Sequence, residues 1–225
     1  MHMHTSDWVL VGTTVFLGAI AIFSTYLAEI VKRKLFAPKL AVKYEIDLPY
    51  CHKTVWKILS QPEVIEPVFF FHFQLENEGK SQARLCETII EELWLYDAFN
   101  RPQKYQGFLP VNLGAEALNI NPHRKLLVQL GHISSLRYQT VYERKSLIDL
   151  PGNYTDELRF MLNLNFIPFG QPNCFVPGKY AIKVSVYSEN APTKKCYFKI
   201  AWSGRWQLTE VDMLRELSIQ VVESL

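Results

Sequence analysis

The chain has 225 residues, of which 48% are hydrophobic and 20% are charged, and its formal net charge is +2. This composition excludes an intrinsically disordered protein, because such chains carry too little apolar side-chain area to offset the entropy lost on folding. The mean hydropathy of −0.02 excludes a transporter with many membrane spans. The length accommodates one ordinary domain and one anchor.

The first predicted element is a transmembrane helix over residues 8–31, which follows a short tail at 1–7. Residues 8–28 contain no Asp, Glu, Lys, Arg or His, and as a helix they would rise about 31 Å, enough to cross a hydrocarbon core about 30 Å thick. A buried core helix and a cleaved signal peptide are the alternatives. A signal peptide needs a basic leading region, and residues 1–7 contain no Lys or Arg. We therefore predict a retained membrane span.

Basic residues follow the span in a predicted juxtamembrane linker over 32–40, and no Lys or Arg precedes it. The four residues are Lys32, Arg33, Lys34 and Lys39. Because basic flanks stay on the cytoplasmic side, we expect an inner-membrane protein with its N-terminus outside and its domain in the cytoplasm. The same four residues are expected to bind anionic headgroups at the membrane surface.

Small residues recur along one stripe of the predicted span, at spacings of four and three. They are Thr14, Gly18, Ala21, Thr25 and Ala28. Small side chains let two helix backbones approach closely, and close packing drives helix association in lipid. This stripe predicts a packing seam for another integral membrane protein or a second copy of the chain. The alternative is that membrane helices are rich in small residues for no such reason.

The charge distribution excludes a typical nucleic-acid-binding module. Residues 1–40 carry four basic and two acidic residues, so residues 41–225 carry 20 of each and are neutral overall. A nucleic-acid-binding module normally has a clustered basic excess. We therefore expect the partners to be the membrane and other proteins, with no nucleic acid.

Residues 41–206 are predicted to form an all-β domain. Apolar and polar side chains alternate with a period of two in several segments, as in strands with one buried face. These segments are 42–48, 69–75, 83–96, 126–130, 160–166, 180–186 and 196–202. A turn signal, Asn-Glu-Gly-Lys at 77–80, separates the second from the third. Two packed antiparallel sheets would bury so many one-sided strands.

Two motifs resemble immunoglobulin-like domains of uncharacterised membrane-anchored bacterial proteins. FHFQLENEGKSQAR at 71–84 resembles their strand–turn–strand hairpin, and VPGKY at 176–180 resembles the entry into a late core strand. The resemblance implies an antiparallel immunoglobulin-like β-sandwich. It also implies a tyrosine corner, in which the phenol of Tyr180 holds the preceding loop. The Cys…Trp…Cys arrangement of antibody domains is missing, and the resemblance implies no catalytic residue.

No motif for catalysis, cofactor binding or metal binding is present. The sequence contains no GxSxG, phosphate-binding glycine loop, HExxH or EF-hand spacing. The four cysteines lie at least 22 residues apart and form no zinc motif, so in the cytoplasm we expect reduced, buried thiols. Glu91 and Glu92 are adjacent, so on a regular strand they would point to opposite faces. His72 is expected to be an exposed surface residue.

Two regions offer candidate partner contacts. Residues 131–158 lack regular periodicity and are predicted to form a long loop that presents Arg137, Tyr138 and Tyr142. Beyond the last predicted strand, Arg205 and Trp206 form a second candidate edge. An ordered loop without a binding role is the alternative for the first region.

The C-terminal residues 207–225 are predicted to form an amphipathic helix. Thr209 begins a loose capping box, and apolar residues recur at helical spacing. These are Val211, Leu214, Leu217, Val221 and Leu225. We expect the helix to pack on the sheets, with contact to a partner or to the membrane as the alternative.

These features predict a non-enzymatic, single-pass membrane protein that acts as an accessory or scaffold subunit through protein–protein contacts. Two alternatives stay open. One is a small-ligand receptor or enzyme whose site is assembled from distant residues, and the other is an envelope domain that faces outward.

Overall fold

The computed structural model describes residues 5–45, 48–58, 61–113, 117–135, 158–164 and 173–225. Within those residues, one long helix leads into thirteen strands, with a short second helix before the last strand. The helices are α1 (Thr5–Phe36) and α2 (Glu210–Glu216). The strands are β1 (Leu40–Lys43), β2 (Cys51–Ile58), β3 (Gln61–Asn77), β4 (Ala83–Tyr96), β5 (Pro102–Lys104), β6 (Val111–Asn112), β7 (Leu118–Ile120), β8 (Lys125–Ser134), β9 (Phe160–Leu162), β10 (Cys174–Phe175), β11 (Gly178–Tyr187), β12 (Lys194–Trp202) and β13 (Leu217–Val222).

The strands form two antiparallel sheets. The first has the order β1-β3-β8-β9-β10, with β2 also paired to β3. The second has the order β13-β12-β11-β4-β5, with β6 and β7 also paired to β4. The prediction of an antiparallel all-β chain with one N-terminal apolar helix is confirmed.

The two sheets face each other across a common core of aromatic and aliphatic side chains. Phe69, Phe71 and Phe73 of β3 are fully buried, as their period of two predicts. The Phe73 ring lies 4.9 Å from the ring of Phe198 on β12, measured between centroids, so side chains of the two sheets touch directly. Phe71 lies 5.9 Å from Phe160 within the first sheet.

The predicted tyrosine hydrogen bond is present at the start of β11. The Tyr180 hydroxyl donates to the carbonyl oxygen of Val176 at 2.7 Å. Burial raises the pKa of this phenol, which therefore stays a donor at physiological pH. The bond fixes the chain between β10 and β11.

The predicted C-terminal helix over 207–225 is wrong in its extent. The helix is confined to α2, where the Thr209 hydroxyl accepts a hydrogen bond from the Asp212 amide at 3.2 Å. The chain then continues as β13, which pairs with β12. Leu217 and Val221 are four residues apart, and with Ile219 between them they also fit a period of two. Pairing with β12 buries Leu217 and Ile219, and a helix would not bury both on one sheet edge.

The predicted loop over 131–158 is wrong at its beginning, because β8 continues to Ser134. Gly131 made this segment look irregular, yet it allows a close approach to β9. A Cβ atom at Gly131 would lie 2.3 Å from the carbonyl oxygen of Met161. The remainder of that predicted loop, from residue 136 to 157, lies outside the described residues.

Candidate functional site at the anchor helix and its junction

Helix α1 is long and apolar enough to cross a membrane. Its apolar window runs from Thr13 to Val31, 19 residues with a mean hydropathy of 1.8, and none of that window is buried within the chain. The window rises about 29 Å as a helix, close to the thickness of a hydrocarbon core. A signal sequence near an N-terminus would meet the same criteria of length and composition.

The predicted seam of small residues lies on an uncovered face of α1. Thr14, Gly18, Ala21, Thr25 and Ala28 are all exposed. A Cβ atom at Gly18 would meet nothing within 4 Å. The Thr25 hydroxyl donates to the Ala21 carbonyl oxygen at 2.8 Å, so this polar group is satisfied within the helix and does not oppose burial in lipid.

The predicted juxtamembrane linker over 32–40 is mostly helical. Lys32, Arg33 and Lys34 lie in the last two turns of α1, which ends at Phe36. Only residues 37–39 separate the helix from β1. The Lys39 ammonium lies 3.4 Å from a carboxylate oxygen of Glu78. Three of the four basic residues thus continue the helix, and Lys39 lies in the short connection to β1.

Asn77, at the end of β3, joins this connection to the sheets. Its side chain is fully buried, and its amide oxygen accepts from the backbone N–H groups of Lys39 at 3.1 Å and Gly79 at 3.0 Å. Its amide nitrogen donates to the carbonyl oxygens of Ser81 at 2.7 Å and Ile120 at 2.9 Å. One side chain therefore holds together the end of the anchor, the β3–β4 turn and β7.

Gly79 provides the space for this contact. A Cβ atom there would lie 2.4 Å from the Lys39 nitrogen and 2.5 Å from the Ala37 carbonyl oxygen. Both neighbours are backbone atoms, so a side chain at position 79 would require the connection to move. The turn predicted at 77–80 is confirmed, but the sequence did not indicate that residues 37–39, which follow α1, pack against this turn.

Ion pairs reinforce the junction on its exposed side. The Lys43 ammonium lies 2.9 Å from a Glu76 carboxylate oxygen and 2.7 Å from one of Glu78. Hydrogen bonds with Glu78 and then Glu76 raise the pKa of Lys43, and hydrogen bonds from Lys43 and Lys39 hold the pKa of Glu78 below its usual range. The acidic residues at this end are therefore neutralised by neighbouring lysines.

The outer face of the first sheet carries an aromatic cluster that sequence analysis missed. The Trp56 ring lies 4.7 Å from the His132 ring and 5.6 Å from the Phe70 ring, and Phe70 lies 6.4 Å from His72. The expected exposed position of His72 is wrong, since this packing leaves it half-buried. Burial and then the nearby His52 lower the pKa of His72. Phe70 points outward between the buried residues Phe69 and Phe71. Because all three are phenylalanines, the sequence pattern did not show that the outer face of the strand is also aromatic.

Glu91 and Glu92 share one face of the second sheet, contrary to the prediction. Lys183 pairs with Glu92 and Val184 with Ile90, so Glu91 is the extra residue of a β-bulge. The Lys183 ammonium consequently lies 3.0 Å from Glu91 and 3.4 Å from Glu92. Although burial opposes it, hydrogen bonds from Tyr187 and Lys183 hold the pKa of Glu91 below its ordinary value. The cluster is a cross-strand ion-pair network.

The predicted partner contacts are only partly within the described residues. Arg137, Tyr138 and Tyr142 lie outside them. Arg205 is exposed, as a contact residue must be. Trp206 is half-buried, and its ring packs 5.0 Å from that of the core residue Phe69. Trp206 therefore covers the end of the core.

The described residues contain no group of three or more His, Cys, Asp or Glu side chains placed to hold a metal ion. Among the described residues, three surface depressions have volumes of about 230, 320 and 330 Å³. The first is smaller than typical ligand sites, and the other two lie at the low end of their range. The four cysteines are buried, as expected. Burial raises the pKa of Cys51 and Cys196 to about 12, which keeps these thiols protonated.

No protein-family model and no curated protein matches the chain. Among solved structures, the chain is similar to the X-ray structure of Northeast Structural Genomics Consortium target SoR45. The identity is 14%, the TM-score is 0.31, and the match covers 76% of this chain and 92% of that one.

Proposed function

We propose that the chain is a non-catalytic, single-pass membrane protein whose immunoglobulin-like β-sandwich acts as an accessory or scaffold subunit. The observation that carries the proposal is the contrast between the two ends of α1. The apolar window of the helix is not buried within the chain, while Lys39, just beyond the C-terminal end of the helix, is bound to the sheets through Asn77. A helix with this arrangement suits a permanent anchor that positions a domain.

The same contrast supports retention of the helix over removal as a signal. The residues that follow α1 pack closely on the β3–β4 turn. Asn77 accepts a hydrogen bond from the Lys39 backbone, and the connection leaves no room for a side chain at position 79. The basic residues at positions 32–34 favour an inner-membrane protein whose domain faces the cytoplasm.

The seam is the proposed contact with another integral membrane protein or with a second copy. Substituting Leu at both Gly18 and Ala21 would separate two helix backbones that pack there. The matched control replaces Gly12 and Ala19 by Leu. At 100° per residue, these positions lie about 140–160° around the helix from the seam. Both variants therefore make the same pair of changes on opposite faces.

The test is purification of the tagged full chain from native membranes in mild detergent, followed by mass spectrometry and size measurement. We expect the wild type and the Gly12/Ala19 control to retain a stoichiometric partner or a dimer, and the Gly18/Ala21 variant to lose it. A monomeric wild type would contradict the scaffold role, and equal association of all three proteins would contradict the seam as the contact.

A further inference from the structure

Three turns meet at the end of the domain that receives α1. The turn between β7 and β8 joins the β3–β4 turn through a hydrogen bond from the His123 amide to the Asn77 carbonyl oxygen at 2.7 Å. The turn between β11 and β12 joins it through Asn190, whose amide nitrogen donates to the Gln82 carbonyl oxygen at 2.9 Å. These three turns form one surface of the domain, next to the point where α1 joins it.

The first two turns give this surface a basic character. Lys80, Arg124 and Lys125 are exposed, and no ion pair connects them to a carboxylate of the described residues. The nearby carboxylates of Glu76 and Glu78 are bound by Lys43. The third turn carries an exposed acidic residue, Glu189, so the basic surface is confined to the first two turns.

The helix fixes how far this surface lies from the bilayer. The apolar window ends at Val31 and the helix at Phe36, and the intervening five residues rise about 7.5 Å. One headgroup layer is about 5–8 Å thick. The Lys80 ammonium lies 5.7 Å from the Phe36 ring. If α1 crosses the membrane, Lys80 therefore lies at the outer edge of the headgroup layer.

We infer that Lys80, Arg124 and Lys125 dock onto the anionic phospholipid headgroups of the leaflet that α1 leaves, and so hold the domain on the membrane surface. The inference rests on the proposed membrane anchor. Headgroup phosphates at this depth lie within the Debye length of about 8 Å. Each basic residue near such a surface favours binding by roughly fivefold. Residues 37–39 are a short connection, and Lys39 is held by backbone hydrogen bonds to Asn77 and Glu78. The junction therefore orients this end of the domain toward the lipid, and the basic side chains decide whether it binds the headgroups.

The test is hydrogen–deuterium exchange of the full chain in lipid nanodiscs. One set of nanodiscs contains only phosphatidylcholine, and the other contains phosphatidylcholine with about 30% of the anionic lipid phosphatidylglycerol. Peptides over 78–83 and 119–125 report on the two basic turns. The test variant is Lys80→Glu/Arg124→Glu/Lys125→Glu, and a glutamine triple variant checks for effects of the new carboxylates. The matched control is Lys179→Glu/Lys199→Glu/Arg205→Glu, which changes the net charge equally toward the other end of the domain.

We expect at least about tenfold slower exchange of these peptides in anionic nanodiscs than in zwitterionic ones, removed by high salt and by both test variants but not by the control. Equal exchange in the two lipids, with the protein inserted, would overturn the docking surface and leave the anchor intact. Failure of the full chain to enter nanodiscs or to float with vesicles would instead overturn the anchor, and docking with it.

Discussion

Asn77→Ala tests how strongly the anchor is joined to the domain. The substitution removes four hydrogen bonds, two from each end of the side-chain amide. The bonds to Gly79 and Ile120 are buried, and those to Lys39 and Ser81 are partly exposed. A buried partner left without its hydrogen bond costs about 1–3 kcal/mol, while a partner that water can reach costs less. We expect a loss of about 3 kcal/mol in the free energy of unfolding.

The assay is urea unfolding of the full chain in detergent, with tryptophan fluorescence as the signal. The matched control is Asn121→Ala, because Asn121 accepts a single exposed side-chain hydrogen bond from Gln82. We expect the control to lie within about 0.5 kcal/mol of the wild type. If Asn77→Ala were as stable as the control, the Asn77 side chain would not hold the connection between α1 and β1 in place.

Two further predictions use the same assay. Tyr180→Phe removes the 2.7 Å bond to Val176 and should lower the free energy of unfolding by about 1 kcal/mol; an unchanged value would show that the tyrosine does not fix the loop. Burial, and then His52, hold the pKa of His72 below its ordinary value of 6.5, so the unfolded chain binds a proton before the folded chain does. Stability should therefore fall as the pH drops below about 6.5. His72→Gln should flatten that part of the profile, and an equal slope in both proteins would refute the assignment.

Local patterns were sufficient for the elements whose partners are close in sequence or whose faces differ clearly. The alternation at 69–75 predicted β3, because every second residue is a buried phenylalanine or leucine. The turn at 77–80 and the hydrogen bond of Tyr180 were also found, since each depends on residues within four positions of one another. The apolar stretch of α1 was evident from its length and its lack of charge.

Features that depend on distant pairing were not predictable in the same way. Asn77 bonds residues 38 and 43 positions away, so its local signal indicated a turn and nothing more. The bulge at Glu91 exists only in the register between β4 and β11, and a strict alternation rule placed its side chain on the wrong face. The spacing of Leu217 and Val221 fits a helix and a strand equally well, and the pairing with β12 decides in favour of the strand.

Protease treatment of intact spheroplasts that contain the full chain with a C-terminal tag tests whether α1 is a retained anchor that holds the sheet domain in the cytoplasm. We expect the sheet domain to survive until the membrane is broken, and the tagged species to keep its full-length mass and stay in the membrane fraction. Digestion of the domain in unbroken spheroplasts, or a mature chain that lacks α1, would contradict this expectation.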